Sequence, residues 1–341
     1  MSEVARVAKA EHFLFPAAKV GEEDESLSGY ANIEFVENAK KINPNHQLIG
    51  GTAWVFSHTV ARGLLSHLFV DEAGQVSLAN LVGMSPSTRN IVLLGDQMQL
   101  SQPTKGAHPG ESGLSTLDYL PQGKATIPDD MGIFLATTWR MRPELCNFIS
   151  EAIYEGRLKP ESLTQNRYVI PDVTGSRLIE KANGLFFMPV LHEGNTLGSE
   201  EEVAAIKEII AELIKCQHTD EKRNSLGNIT MNDILVVAPY NMQVRMLKRA
   251  LGSSARIGTI DKFQGQEATV VIVSMCSSAA DASPRGVDFL LDKNRLNVAI
   301  SRAKCLAVIV GHPDLARTRC STLNQMELSN LFCRVVKEGT V

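Results

Sequence analysis

Two carboxylates stand side by side in HLFVDEAGQ, where Asp71 and Glu72 directly follow the apolar run Leu68–Val70. If that run is a strand, both acids lie at its carboxyl tip. One can hold Mg²⁺ through the ion's water shell, and its neighbour can orient a water for attack on a phosphoryl group. A solvated turn or a helix start accounts for the same pair. In NIVLLGDQMQL a second apolar run ends at Gly95-Asp96, with Gln99 just beyond, placed to sense a γ-phosphate. A plain Gly-Asp turn fits there too. In TTWRMRPELCNFISEAIYEGRL, Arg140 follows Trp139, and Arg142-Pro143 opens a helix. An arginine delivered to a transferring phosphoryl group is worth roughly 10³–10⁵ in rate, and Trp139 offers a flat face to an adenine. The alternative is a surface arginine beside a core tryptophan.

Two further clusters lie downstream. In ARIGTIDKFQGQEATVVIVSM, the side chains of Asp261, Lys262, Gln264 and Glu267 crowd one loop that Gly265 lets turn tightly. The loop is either a site or a solvated hairpin. In NRLNVAISRAKCLAVIVG, Leu296, Val298, Ile300 and Ala303 pack one side of a short helix, while Arg295, Arg302 and Lys304 point elsewhere. That pattern suits a second arginine aimed at phosphate, or a solvated face.

The elements that must position these residues are legible as runs. Leu68–Val70, Ile91–Leu94, Leu185–Val190, Ile234–Ala238, Val270–Met275 and Leu306–Val310 are apolar with little alternation, as expected of parallel strands covered on both faces. Between them, Ser199 and Glu202 predict a capping box ahead of a helix with Val203, Ile206, Ile210 and Leu213 on one face. A second helix is expected over Met242–Leu251, with Gly252 as its C-cap. Strands alternating with helices argue for a doubly wound α/β fold, whose chemistry sits at the carboxyl ends of strands. Residues 1–50 read poorly. The stretch Ser101–Gly132 is loop-like with one helical piece near Leu114–Leu120, and a boundary at 136/137 is expected, dividing the chain into 1–136 and 137–341.

Composition narrows the classes. The 341 residues accommodate two domains of ~100–200 residues each. Hydrophobic residues at 44% and charged residues at 21% suit a soluble, well-cored chain. No apolar run nears the ~20 residues of a membrane helix, and no secretory h-region opens the sequence, so a cytoplasmic address is expected. The six cysteines form no CxxC pair and the eight histidines no HExxH, which argues against a transition-metal site or a disulfide scaffold. With a net charge of −4, any contact with nucleic acid must come from local placement of Lys and Arg.

Taken in order, DEAGQ, GDxxQL, WRMRP, VVAPY, TIDKFQGQE and LNVAISRAK resemble motifs II to VI of superfamily-one helicases, in the branch of the nonsense-decay and Okazaki-flap helicases. The resemblance runs from about Ile49 to Val310. GGTAWVFS (51–58) together with WRMRPELCNFISEAIYEGRL is most similar to bacterial proteins that fuse a RecB-like nuclease to such a helicase. The resemblance implies a RecA-like P-loop NTPase fold of two lobes with parallel sheets, ATP and Mg²⁺ as cofactors, and single-stranded DNA or RNA as partner. It matches Asp71 to the Mg²⁺ ligand, Glu72 to the catalytic base and Gln99 to the γ-phosphate sensor. Arg140 and Arg302 match the two arginine fingers. Trp139 stands beside the adenine, and Glu267 contacts the ribose in a loop shaped by Gly265. Thr52, Ser57 and Tyr240 fall in blocks that lie against the nucleic-acid strand.

The sequence departs from that family in three places. Gln97 replaces the usual proline after Gly95-Asp96, and Trp139 replaces the commoner tyrosine. The third departure is larger: GxxxxGK[ST], whose backbone amides and lysine cradle the phosphates, occurs nowhere in the chain. Only 70 residues precede Asp71. The chain is therefore expected to begin after the P-loop, with an incomplete first lobe that exposes a sheet edge and a complete second lobe. It is expected to hydrolyse ATP negligibly alone, with an upstream-encoded P-loop or nuclease portion as a candidate partner. The alternative is a non-catalytic nucleic-acid-binding remnant, or a subunit that needs a P-loop partner.

Overall fold

The computed structural model describes residues 1–100, 108–120, 124–172, 178–281 and 283–340. Contacts divide the chain into two compact units, Met1–Gln97 with Ser101–Gly123, and Met98–Leu100 with Lys124–Val341.

In the first unit, α1 (Ser2–Ala10) is followed by β1 (Ala17–Val20), β2 (Ile33–Val36), β3 (Leu48–Gly50) and α2 (Ala53–Phe56). Then come β4 (Leu65–Val70), α3 (Leu78–Met84), β5 (Thr88–Leu93) and α4 (Thr116–Tyr119). The strands form a three-stranded parallel sheet, β2-β1-β3, and a two-stranded parallel sheet, β4-β5. Leu68 and Val70 turn one face of β4 toward a small core with Phe56, Ala73, Met84 and Leu117. Phe69, on the other face, is 63% exposed. This corrects the expectation of cover on both faces: the period-2 alternation of β4 buries only Leu68 and Val70.

In the second unit the elements are β6 (Thr137–Thr138), α5 (Pro143–Ile153), β7 (Lys159–Pro160), β8 (Val169–Ile170), β9 (Gly184–Pro189) and α6 (Glu200–Leu213). They continue with β10 (Gln217–Thr219), β11 (Ser225–Asn228), β12 (Ile234–Val237), α7 (Asn241–Leu251), β13 (Arg256–Gly258) and β14 (Ala268–Ser274). The chain ends with α8 (Val287–Leu290), α9 (Lys293–Ser301), β15 (Ala303–Gly311) and α10 (Leu323–Gly339). The main sheet has the order β13-β12-β14-β15-β9 with every pairing parallel. Alternation along its buried strands divides two cores. Leu235, Val237, Val271, Val273, Ala307 and Ile309 pack with α5, α9 and α10, whereas Ile234, Val236, Val270, Ile272, Leu306 and Val308 pack with α6 and α7. Each such Val, Leu or Ile side chain contributes about 1.5–3 kcal/mol on burial, so the continuous apolar runs of these strands are the signature of a sheet covered on both faces.

The division falls between Gly123 and Lys124, earlier than the expected 136/137. The intervening residues are laced to the second unit. Arg157 donates to Thr126 Oγ1 (3.0 Å), to the Ile127 carbonyl (3.1 Å) and to Asp129 (2.9 Å), and its guanidinium stacks on Phe134. Part of the expected loop Ser101–Gly132 lies outside the described residues; within it, Thr116–Tyr119 is the helical piece. Gly252 ends α7 at φ +84°. The capping box at α6 is half formed. Ser199 Oγ accepts from Glu202 N (3.1 Å), but Ser199 N donates to Gln243 Oε1 (2.9 Å), and the Glu202 carboxylate turns inward instead. Among the described residues, no helix is long and apolar enough to cross a membrane.

Candidate functional site

In the first unit the tips of β4 and β5 interlock through their backbones. Leu94 N donates to Val70 O (2.9 Å) and Ala73 N to Leu94 O (2.8 Å). Glycine permits this approach, because a Cβ on Gly74 would lie 2.7 Å from Asp96 O and one on Gly95 2.8 Å from Ala73 N. The structure thus brings Asp71-Glu72 and Gly95-Asp96 to one sheet end. Asp71 and Glu72 are both exposed; Asp71 Oδ1 accepts from Glu72 N (3.0 Å), and Glu72 adopts a left-handed φ of +51°. A non-glycine residue held there marks a constrained turn. Thr52 and Ser57 flank the four-residue α2 and are exposed, Ser57 Oγ donating to Ala53 O (3.0 Å).

Gln99 belongs to the second unit, where Asn294 Nδ2 donates to its carbonyl (2.9 Å) and Asn297 Nδ2 to that of Met98 (2.8 Å). Trp139 is 64% exposed. Beside it, Arg140 Nε donates to Glu267 Oε2 (2.9 Å) and Nη1 to the Ser301 carbonyl (3.2 Å). Lys304 Nζ lies 2.7 Å from Glu267 Oε1. Burial opposes ionisation of Glu267, but hydrogen bonds and charge from Lys304 and Arg140 outweigh it and hold its carboxyl below the usual range. Gly265, at φ +72°, makes the turn next to Glu267.

Two expected residues are placed differently from a surface role. Arg302 is only 4% exposed, and its carbonyl accepts from Ala268 N (3.1 Å) at the end of α9, which removes the solvated-face alternative. Tyr240 is buried, its hydroxyl bonded to Ser283 Oγ and its ring 5.4 Å from that of Phe289. Phe289 in turn carries the guanidinium groups of Arg285 (3.6 Å) and Arg295 (4.5 Å). Residues missed in the sequence include Arg167 and Glu221, which support Trp139 and Arg140. Arg167 sits outside every motif and Glu221 in a polar turn, so neither left a periodic or spacing signal.

The profile of the AAA_12 family, described as an AAA domain, matches residues 121–314. The chain is 28% identical over 292 residues to "Putative helicase mov-10-B.1" of Danio rerio, a match that covers 75% of this chain and 28% of that protein. It is 26% identical over 343 residues to "DNA replication ATP-dependent helicase/nuclease DNA2" of Xenopus laevis, covering 93% and 31% respectively. It therefore spans about a third of the length of these relatives. Among solved structures, the arterivirus nonstructural protein 10 helicase in complex with DNA aligns with a TM-score of 0.41 at 14% identity, covering 93% of this chain and 59% of that one.

Proposed function

This chain belongs to the AAA domain family, and from that premise we propose that it is part of a superfamily-one helicase motor that couples ATP hydrolysis to movement on single-stranded DNA or RNA. The observation that carries the reading is the charged group of the second unit. Arg140 and Lys304 converge on Glu267, which gathers cations for phosphate and an acceptor for a ribose hydroxyl, and Trp139, the residue before Arg140, has an exposed ring. In this reading Arg140 and Arg302 are the arginine fingers, Trp139 stacks on adenine, and Glu267 contacts the ribose beside Gly265. Buried Arg302 would have to be uncovered to act.

Within the first unit the candidate group is the carboxylate pair. Mg²⁺ is commonly held by one or two carboxylates plus substrate phosphates, and the exposed Asp71 at the tip of β4 is a donor of that kind. The ion would contribute charge against the phosphoryl oxygens. Glu72 would orient the attacking water, and Gln99 would report the γ-phosphate. Thr52 and Ser57 would meet the nucleic-acid backbone, and Tyr240 would act through the Ser283 loop it anchors.

The reading includes an upstream P-loop or nuclease portion as a partner that would supply the phosphate cradle. A second reading is a non-catalytic nucleic-acid-binding remnant, or a subunit that needs a P-loop partner. The test is phosphate release by the purified chain with and without a single-stranded oligonucleotide, and again after adding polypeptide that bears a P-loop. The helicase reading expects negligible turnover alone, salt-sensitive oligonucleotide binding, and activity on complementation that Glu72→Gln abolishes. Oligonucleotide binding with no gain on complementation selects the binding subunit, and absence of oligonucleotide binding rejects both.

A further inference from the structure

Arg167 lies outside every motif, yet its guanidinium is spent on the segment that carries Trp139 and Arg140. Its Nη1 donates to the Trp139 carbonyl (2.8 Å) and to the Arg140 carbonyl (2.6 Å). On the opposite side, Nη2 lies 3.1 Å from Glu221 Oε2, and the Arg167 side chain is only 14% exposed. Glu221 sits in the turn of the β10–β11 hairpin, and that hairpin is stitched to the segment carrying Arg167, which leads into β8. Asn166 Nδ2 donates to the Glu221 carbonyl (3.0 Å), Arg223 Nε to Asn166 Oδ1 (2.9 Å), and Thr219 Oγ1 to the Asn166 carbonyl (2.8 Å). The clasp is reciprocal: Arg142 donates to the carbonyls of Gln165 (2.9 Å) and Arg167 while stacking on Tyr168.

A guanidinium that bonds two successive carbonyls fixes the peptide planes between them, and with those planes the directions in which the flanking side chains leave the backbone. We infer that Arg167, braced by Glu221 of the β10–β11 hairpin, is a positioning residue that aims Trp139 and Arg140. The inference rests on the reading of those two residues as nucleotide-facing. It makes the hairpin a control point, since whatever displaces Glu221 unlocks Arg167 and with it the finger. A planar fork is required for this work, so lysine can replace only part of it.

The experiment uses the full chain with Trp54→Phe, which leaves Trp139 as its only tryptophan. Arg167→Ala, Arg167→Lys and Glu221→Gln are compared by Trp139 fluorescence anisotropy decay, by amide exchange over 138–142, by melting temperature, and by affinity for a fluorescent ATP analogue. Arg167→Ala should speed exchange over 138–142 on the order of tenfold and free the Trp139 ring, Arg167→Lys should restore part of this, and Glu221→Gln should fall between. If melting temperature falls while anisotropy and local exchange stay at the parent values, Arg167 is structural and the inference fails. Glu221→Gln guards against an Arg167→Ala chain that does not fold; if it leaves local exchange unchanged, the bracing role is lost. If the segment loosens but neither Arg167→Ala nor Trp139→Ala alters analogue binding by the chain complemented with P-loop polypeptide, positioning stands and the nucleotide reading falls.

Discussion

Replacing Glu202 by alanine removes a carboxylate that is entirely buried at the start of α6. Both of its oxygens accept from Cys276 N (2.9 Å each), Oε2 accepts from Ser274 Oγ (2.6 Å), and Oε1 lies 3.0 Å from His192 Nε2. A carboxylate only accepts, so the ring proton is assigned to Nε2. Truncation strands three buried donors, each of which costs about 1–3 kcal/mol when unsatisfied. Those costs overlap, and about 3–5 kcal/mol in total is the range for breaking a buried charged cluster. Glutamine keeps one oxygen for Cys276 N but points an amide at a donor, for a loss of about 1–3 kcal/mol. Were Glu202 simply the third residue of a capping box, glutamine would serve equally and alanine would cost about 0.5–1 kcal/mol. Guanidinium unfolding of the intact chain, with amide exchange over 268–278, separates the two cases. A Glu202→Gln chain as stable as the parent, with Glu202→Ala within about 1 kcal/mol of it, would refute the buried-anchor reasoning.

Three other expectations follow from the same geometry. Gly74→Ala drives a methyl against Asp96 O and should destabilise by about 1–3 kcal/mol, whereas Gly83→Ala, inside α3 with its nearest neighbour at 3.7 Å, should stabilise by about 0.5–1 kcal/mol; paired thermal melts check the contrast. Burial pushes the thiols of Cys146 to about 11 and Cys305 to about 12, and burial together with the Glu202 charge raises Cys276 further, so a thiol reagent at pH 8 should label half-buried Cys320 and Cys333 first and the buried cysteines on unfolding. Because the carboxyl of Glu267 is held below its usual range in the fold, its contribution is present above the ordinary carboxylate range and is lost as pH falls through the depressed value. Its side chain is 41% exposed, so solvent screening limits the effect to under about 1 kcal/mol, and acid titration of stability in Glu267→Gln should lack that component.

Much of the second unit was legible because the central strands of its main sheet are buried on both faces. Ile234–Val237, Ala268–Ser274 and Ala303–Gly311 stand where unbroken apolar runs called for strands, and Gly252 stops α7 as its position suggested. The first unit was harder. AAKV, IEFV and LIG are three or four residues long and separated by polar turns, too short for a period to emerge, so the sheet β2-β1-β3 went unseen. The β10–β11 hairpin was missed for a related reason: all four residues of β11 are exposed, and its partners are held by side-chain bonds that leave no hydrophobic pattern. At the candidate site, residue types and order singled out Arg140 and Glu267 as candidates, but not that the two are bonded to each other across 127 positions of sequence. Glu202 shows the opposite failure. Its spacing from Ser199 matched a local motif, but Ser199 N is already satisfied by Gln243 Oε1, and the carboxylate instead pairs Cys276 N, a buried amide that would otherwise be unsatisfied.

The position of β9 sets a schedule for making this protein. It is one of the two edge strands of the main sheet and pairs with β15, Gly184 against Leu306 through Pro189 against Gly311. Phe186 and Phe187, 5% and 3% exposed in the finished fold, therefore leave the ribosome long before their partner strand exists. At roughly 5–20 residues per second the interval is on the order of ten seconds. During that time GLFFMP is an unpaired apolar strand, and Phe187 also awaits Phe332 of α10, whose ring meets it edge-on at 6.1 Å. The docking of β9 therefore waits for residues 303–339, and the yield of soluble chain should depend on how quickly they follow one another out.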